Sequence, residues 1–427
     1  MRRWYVVSCF AIVILCLLTG IVYNLPPIHE RVAWRVDNLR VEVKRYFNPP
    51  EQVVFIPQEQ VEAIVRATLT ALALTPTLAP PPALTETPIP SPLPSPTLAP
   101  IPESIALNGI RHEYQKFNNC APASLSMVLS YWGWQGDQFQ TRAYLRPSYE
   151  IDDKNVNPFE IVNFVEKNTQ FKAVWRIGGN LERLKRLLAA GFPVLIEKGL
   201  LDPHDHAWLG HYQIISGYND AKSNFLVYDS YEGPPQAYAV PYDVIGQFWR
   251  HFNFVYVVIY PPERAAEVQS ILGSDNDPQQ NFRSAAELAL QEANSLNGRE
   301  QFFAWFNRGT NLVYLQDYAN AAQAYDTAFV LYATLPESER PWRLLWYQDG
   351  PYAAYYYSGR YQDVINLAHA TLLNVDKPVL EETYYWRGMA KEALGDRTGV
   401  VEDLQRAYTL NPNSTPAGEE LQRINSH

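Results

Sequence analysis

In the stretch Gln115-Lys-Phe-Asn-Asn-Cys120-Ala-Pro-Ala-Ser-Leu-Ser-Met-Val-Leu129, a thiol stands where a helix should begin. Pro122 suits a first helical turn, because its missing N–H would find no partner there. Leu125, Val128, Leu129 and Trp132 then recur at helical spacing. A sulfur at a helix N-terminus meets the positive end of the dipole, which favours the thiolate, the reactive form. Further along stand Gly210-His211-Tyr-Gln-Ile-Ile-Ser-Gly217 and Val227-Tyr-Asp229-Ser230. Together these supply an amide donor, a thiol, a base and a carboxylate.

In cysteine hydrolase chemistry, Cys120 attacks a carbonyl carbon, and His211 takes its proton and later gives one to the leaving group. Asp229 holds the imidazole in its working tautomer. Gln115 presents its side-chain amide to the developing oxyanion, beside backbone N–H groups near Cys120. Residues 212–218 are apolar enough for a buried strand opened by His211, 219–224 form a polar turn, and 225–228 a second short strand. That hairpin returns Asp229 toward His211.

From about residue 105 to 261 the constellation resembles the papain-like cysteine peptidases that process bacteriocin precursors at a double-glycine leader, and their stand-alone relatives. The resemblance implies the oxyanion, nucleophile, base and orienting roles for Gln115, Cys120, His211 and Asp229. It also implies a papain-like α+β fold. Ala121 stands where that family usually has glycine, and the Gln115-to-Cys120 gap is shorter than in many members. The chain has no Gly-x-x-x-x-Gly-Lys-Ser/Thr motif, so the transporter-coupled role of the better-known relatives does not carry over.

His204, Asp205, His206 and His211 invite a zinc reading. No short-spaced His or Cys pair lies on a recognisable helix, and 204–206 follow Asp202-Pro203 in a loop. The expectation is no metal and no cofactor. The 427 residues carry a formal net charge of −10 without a basic stripe, which excludes nucleic acid as an expected partner. Of three cysteines, Cys9 and Cys16 lie in the first apolar stretch, so Cys120 has no second thiol beyond it to pair with.

Residues 4–23 form an apolar run of about 20 residues, long enough to cross a bilayer, with Trp4, Tyr5 and Tyr23 at its ends. No small-x-small cleavage site follows it. The expected organisation is a transmembrane anchor at 1–24, a juxtamembrane helical segment at 25–74 and a Pro/Thr-rich linker at 75–104. A papain-like peptidase domain at 105–262 and a repeat domain at 280–427 follow. Val32, Val36, Leu39, Val43 and Tyr46 share one helical stripe. Arg2 and Arg3 favour a cytoplasmic N-terminus, while Arg31, Arg35, Arg40 and Lys44 oppose it. The long stalk favours a single-pass cell-membrane protein with extracytoplasmic C-terminal domains.

Inside the peptidase-like region, Asn157-Pro158 opens one helix and Asn180 caps another, closed by Gly191. Strands are expected at 171–176, 192–197, 212–218, 225–228 and 254–260. Beyond Pro262 the pattern turns wholly helical. Trp305-x-x-Arg-Gly309 with Leu312, Tyr318, Ala321, Tyr325 and Ala328 resembles a tetratricopeptide repeat. Tyr384-x-x-Arg-Gly388 with Gly395, Leu404, Ala407 and Pro412 repeats it, and Gly359-Arg-Tyr361 with Val364 and Ala368 forms a weaker middle copy. Stacked repeats bury their core between neighbours, so this region is expected to fold alone. The expected function is a membrane-anchored cysteine peptidase acting on a peptide or protein, with the repeats binding a protein partner. An inactive peptide-binding adaptor and a thiol acyl transferase or amidase are the alternatives.

Overall fold

The computed structural model describes Gly20, Leu39, Val43, Phe47 and residues 53–58, 100–147, 155–202, 207–373, 380–413 and 415–426. An α+β domain comes first. Its elements are β1 (Ser104–Ala106), α1 (Cys120–Tyr131), α2 (Gln138–Leu145), α3 (Pro158–Asn168), β2 (Lys172–Arg176) and α4 (Leu181–Ala189). Then follow β3 (Val194–Leu201), β4 (Trp208–Asn219), β5 (Asn224–Tyr228), β6 (Tyr238–Pro241), α5 (Tyr242–Arg250), β7 (Tyr256–Tyr260) and α6 (Ala265–Leu272). The seven strands form one sheet in the order β2-β7-β3-β4-β5-β6, with β1 beside β4. Every neighbouring pair is antiparallel.

Alternation along the strands divides the core between two faces. Leu195, Ile214, Val257 and Ile259 pack with Leu125 and Val128 of α1 and Ile161 of α3. Val194, Ile196, Ile215 and Val258 pack with Leu184, Leu187 and Leu188 of α4 and Val268 of α6. The helix starts follow the sequence. Asn157 and Glu160 make a capping box at α3, and the Asn180 side chain accepts from Arg183 N at 2.8 Å at α4. β4 is long enough to pair with β3 through Ile215 and with β1 from Gly217 onward. A Cβ at Gly217 would lie 2.2 Å from the Ile105 carbonyl oxygen, so only glycine admits β1 there.

The C-terminal half is helical: α7 (Pro278–Ser295), α8 (Gly298–Tyr314), α9 (Tyr318–Thr334), α10 (Gly350–Tyr357), α11 (Tyr361–Leu373), α12 (Glu381–Ala393), α13 (Arg397–Leu410) and α14 (Thr415–Asn425). Small residues admit close neighbours: a Cβ on Gly309 would meet the Tyr325 ring at 2.8 Å. This region does not stand apart from the sheet domain. One apolar core holds Ile177, Trp208, Phe252 and Val255 of the sheet domain together with Phe302, Phe303, Phe306, Tyr325 and Tyr355 of the helices. Asn281 bonds both the N–H and the C=O of Ile177, at 3.1 and 2.8 Å, and Asn253 pairs with Asn311. The expectation of a self-contained helical region meets this shared core.

At the centre of the seam lies His251, fully buried and stacked on Phe303 with ring centroids 3.9 Å apart. The Trp208 indole N–H, which can only donate, reaches His251 Nδ1 at 3.0 Å. The imidazole is therefore neutral, with its proton on Nε2 facing Glu300 Oε1 at 3.2 Å. Burial pushes its pKa down to about 4, against the pull of Glu300, while Arg299 and Arg250 assist the fall. A depressed base contributes stability that is whole above its unfolded value of 6.5 and lost as pH falls toward 4. That difference amounts to about 3 kcal/mol. Thermal unfolding should therefore show a steep loss of stability between pH 6.5 and about 4. His251→Asn, which keeps an acceptor for Trp208 but cannot titrate, should flatten that dependence.

The expected transmembrane anchor and single-pass membrane localisation are corrected. Among the described residues no helix is long and apolar enough to cross a membrane. Residues 4–23 themselves lie outside the described residues, Gly20 apart, as do most of 25–74 and 75–99. Where the juxtamembrane segment is described again, at 53–58, it packs on protein. Phe55 is buried edge-on against Phe329 at 5.1 Å, and Gln58 N donates to Asp363 Oδ1 at 2.9 Å.

Candidate active site

Helix α1 begins at Cys120 and is buried from Ala121 through Leu129 against the sheet. Its register is pinned by Ser124, whose hydroxyl donates to the Tyr212 carbonyl of β4 at 3.1 Å. This leaves Cys120, partly exposed, at the open end of the helix. The loop in front turns through Asn118 at φ 50°, which asparagine tolerates. Gln138 of α2 holds that loop from behind. Its amide oxygen accepts Lys116 N at 2.8 Å and Asn119 Nδ2 at 2.9 Å, while its NH2 donates to the Tyr114 carbonyl at 2.8 Å. Arg146 adds Nη1 to the Phe117 carbonyl at 3.3 Å.

Strand β4 brings His211 to the thiol, and β5 ends one residue before Asp229. His211 was expected to open its strand, but β4 starts at Trp208, so His211 sits inside the ladder opposite Lys198. Trp208 explains the earlier start, since it belongs to the core shared with the helices. His211 and Asp229 are 1% and 3% exposed. His211 Nε2 meets Asp229 Oδ1 at 2.9 Å, which leaves Nδ1 for the hydrogen bond with Cys120.

The Asp229 carboxylate is fully engaged. Oδ1 also accepts Tyr231 N at 2.8 Å and Glu232 N at 3.1 Å, and Oδ2 accepts Gln213 Nε2 at 2.6 Å. Burial alone would raise its pKa; the His211 charge and hydrogen bond, with Lys198 nearby, hold it well below the usual carboxylate range. For His211, burial lowers the pKa, but Asp229 and Cys120 together raise it to about 9. The Cys120 thiol is pushed up by burial and brought below its ordinary value by His211, the Tyr212 N–H and Arg146. Both directions favour sharing the proton toward imidazolium and thiolate, and the two groups titrate as a coupled pair.

Gln115 lies beside this line. Its N–H donates to the Ser230 carbonyl at 2.7 Å, and its side-chain oxygen accepts the Ser230 hydroxyl at 2.9 Å. With the oxygen held, the amide NH2 is the donor Gln115 has left to offer. Cys120, His211 and Asp229 thus fall in one line, and Gln115 is tied to Ser230, the residue after Asp229. Ser230, Gln213 and Gln138 are the polar supports that sequence inspection passed over. Ser230 alone carried a signal, as the neighbour of Asp229. Of the histidine-rich loop, residues 203–206 lie outside the described residues.

Residues 107–257 match the model of the Peptidase_C39 like family. The match spans the sheet domain from just after β1 into β7 and carries all four residues. This part of the chain is a C39-like, papain-like α+β domain. Among solved structures, a chain titled as a C39-like peptidase from Bacillus anthracis is similar, with 17% identity over 37% of this chain and 98% of that one and a TM-score of 0.31. No curated protein matches the chain.

Proposed function

We propose that this chain is a cysteine peptidase in which Cys120 is the nucleophile, His211 the general base and acid, Asp229 the orienting carboxylate and Gln115 an oxyanion donor. The observation that carries this is the hydrogen-bonded line from Cys120 through His211 to Asp229 at the start of a buried helix. The thiolate adds to the carbonyl carbon of a peptide bond, and the carbonyl electrons move onto the oxygen. Gln115 NH2 donates to that oxyanion. As the tetrahedral adduct collapses, the C–N bond breaks and imidazolium gives its proton to the leaving amine. Water, deprotonated by the now neutral His211, then hydrolyses the thioester and restores the thiolate.

The substrate class is a peptide or protein. We assign the peptidase domain to 105–262, because β1 at Ser104–Ala106 completes the sheet and Pro262 follows β7. We read 280–427 as a tetratricopeptide-like array that docks a protein. The packed pairs α8/α9 and α12/α13 support it, as does Gly388, where a Cβ would meet Asp403 at 3.2 Å and Leu404 at 3.3 Å.

Iodoacetamide labelling of Cys120 across pH tests the proposal. Its midpoint should lie well below the roughly 8.5 of a free thiol. A midpoint at or above that value would sink the nucleophile assignment.

A further inference from the structure

Glu197 lies on β3 directly opposite Tyr212, the residue after His211. It is 3% exposed, and among the described residues no cation stands within ion-pair distance of it. Tyr212 Oη lies 2.8 Å from the Val156 carbonyl oxygen and 3.0 Å from Glu197 Oε2. A hydroxyl has one proton, and a carbonyl oxygen can only accept. If the Tyr212 proton goes to Val156, the bond to Glu197 must run the other way, with a carboxyl O–H donating to the tyrosine oxygen. The other carboxyl oxygen, Oε1, is enclosed and has no partner. An ionised carboxylate in that place would have neither counter-charge nor enough donors.

The groups that face Glu197 agree. They are Cys120 from α1, Tyr212 from β4, Asn155 before α3 and Tyr314 from α8, none of them a cation. Burial first, then the charge on Cys120, holds its carboxyl well above the ordinary range, and a bond donated by the carboxyl to Tyr212 acts in the same direction.

Tyr212 is in turn held at three points. Its hydroxyl is fixed by Glu197 and Val156, its carbonyl accepts Ser124 of α1, and its N–H faces the Cys120 sulfur. We propose that Glu197, as a neutral carboxylic acid, is a positioning residue that anchors Tyr212 and so fixes Cys120 against His211. This rests on the reading of Cys120 as nucleophile. The neutral form also spares the thiolate a second negative charge at close range.

The test uses the full chain and three readouts. Infrared difference spectra between wild type and Glu197→Gln should show a protonated-carboxyl C=O stretch that the variant lacks; its absence overturns the neutral acid. The glutamine amide can donate to the Tyr212 oxygen, so Glu197→Gln should label with iodoacetamide within about threefold of wild type, with the same pH midpoint. Glu197→Leu, which cannot donate, should slow labelling about 10- to 100-fold and move the midpoint upward. A purely space-filling role would leave that midpoint unchanged. Should Glu197→Leu fail to fold, Tyr212→Phe removes the same bond from the other side and is read in the same way. Glu197→Gln as slow as the leucine variant, or the leucine variant as fast as wild type, overturns the positioning role. Wild type that does not label at all defeats the nucleophile reading instead, while the infrared band still reports on Glu197 alone.

Discussion

Replacing His211 with alanine is expected to lower kcat about 10^4-fold or more, the scale on which loss of a catalytic base acts. The reason lies in what His211 does to both neighbours. Burial works against the Cys120 thiolate, and His211 is the first opposing influence. Without it the thiol reverts to the protonated, unreactive form, and no group remains to protonate the leaving amine. The wild-type pH profile should fall on the alkaline side near pH 9, where the imidazolium loses its proton. On the acid side it falls as the thiolate–imidazolium pair gains a proton. His211 also contributes stability: its raised pKa gives a stabilisation that is complete below 6.5 and lost as pH rises through about 9. Steady-state kinetics on a fluorogenic peptide, with thermal unfolding at matched pH, separate the two effects. Turnover within tenfold of wild type for His211→Ala would remove His211 from the mechanism.

Asp229→Asn should cost less than His211→Ala. Asp229 Oδ1 keeps its two backbone donors, but the charge that raises the imidazole pKa is gone.

What was legible in the sequence follows from where the information lies. Cys120, His211, Asp229 and Gln115 stood out as candidates because each is tied to a local pattern: a helix start, an apolar strand, a strand end and a loop just before the thiol. The capped helices α3 and α4 were readable for the same reason, since Asn157-Pro158 and Asn180 act within one turn. Helix α2 and strand β6 were not. α2 has only three buried residues, Gln138, Thr141 and Leu145, and two of them are polar. β6 alternates only between partial and full exposure at the edge of the sheet. The supports of the site were invisible for a different reason. Gln138, Ser230 and Glu197 act on residues 22, 115 and 15 positions away, and no periodicity in one chain encodes such a pairing. The repeat pattern beyond Pro262 showed helices and their small-residue contacts. It gave no sign that their aromatic residues would be shared with the sheet domain.

That shared core yields the other large effect: residues 105–262 expressed alone should not fold cooperatively. Trp208 packs on Phe303 and Tyr347 at 5.7 Å each, Phe252 on Tyr347 at 5.8 Å, and Trp175 on Tyr314 at 5.5 Å. Removing the helices would bare Ile177, Trp208, Phe252 and Val255 together. Exposing a buried side chain of this size costs about 1.5–3 kcal/mol. The sum is of the order of the entire net stability of a domain, about 5–15 kcal/mol. Polar losses add to it, because Asn253 and the Ile177 backbone would give up their partners Asn311 and Asn281. The consequence reaches the active site. Trp208 lies three residues before His211 on the same strand, and a Cβ on Gly210 would meet Phe252 at 2.6 Å and Tyr347 at 2.8 Å, so Tyr347 of the C-terminal half lies against β4 just ahead of His211. A chain from residue 100 to the C-terminus should melt in one transition, and Phe303→Asp should lower that transition and slow Cys120 labelling together. The isolated 105–262 fragment should bind a hydrophobic dye and lack near-ultraviolet circular dichroism. A fragment that melts sharply and labels at the wild-type rate would show that the two halves are separate folding units, with the site complete in the first.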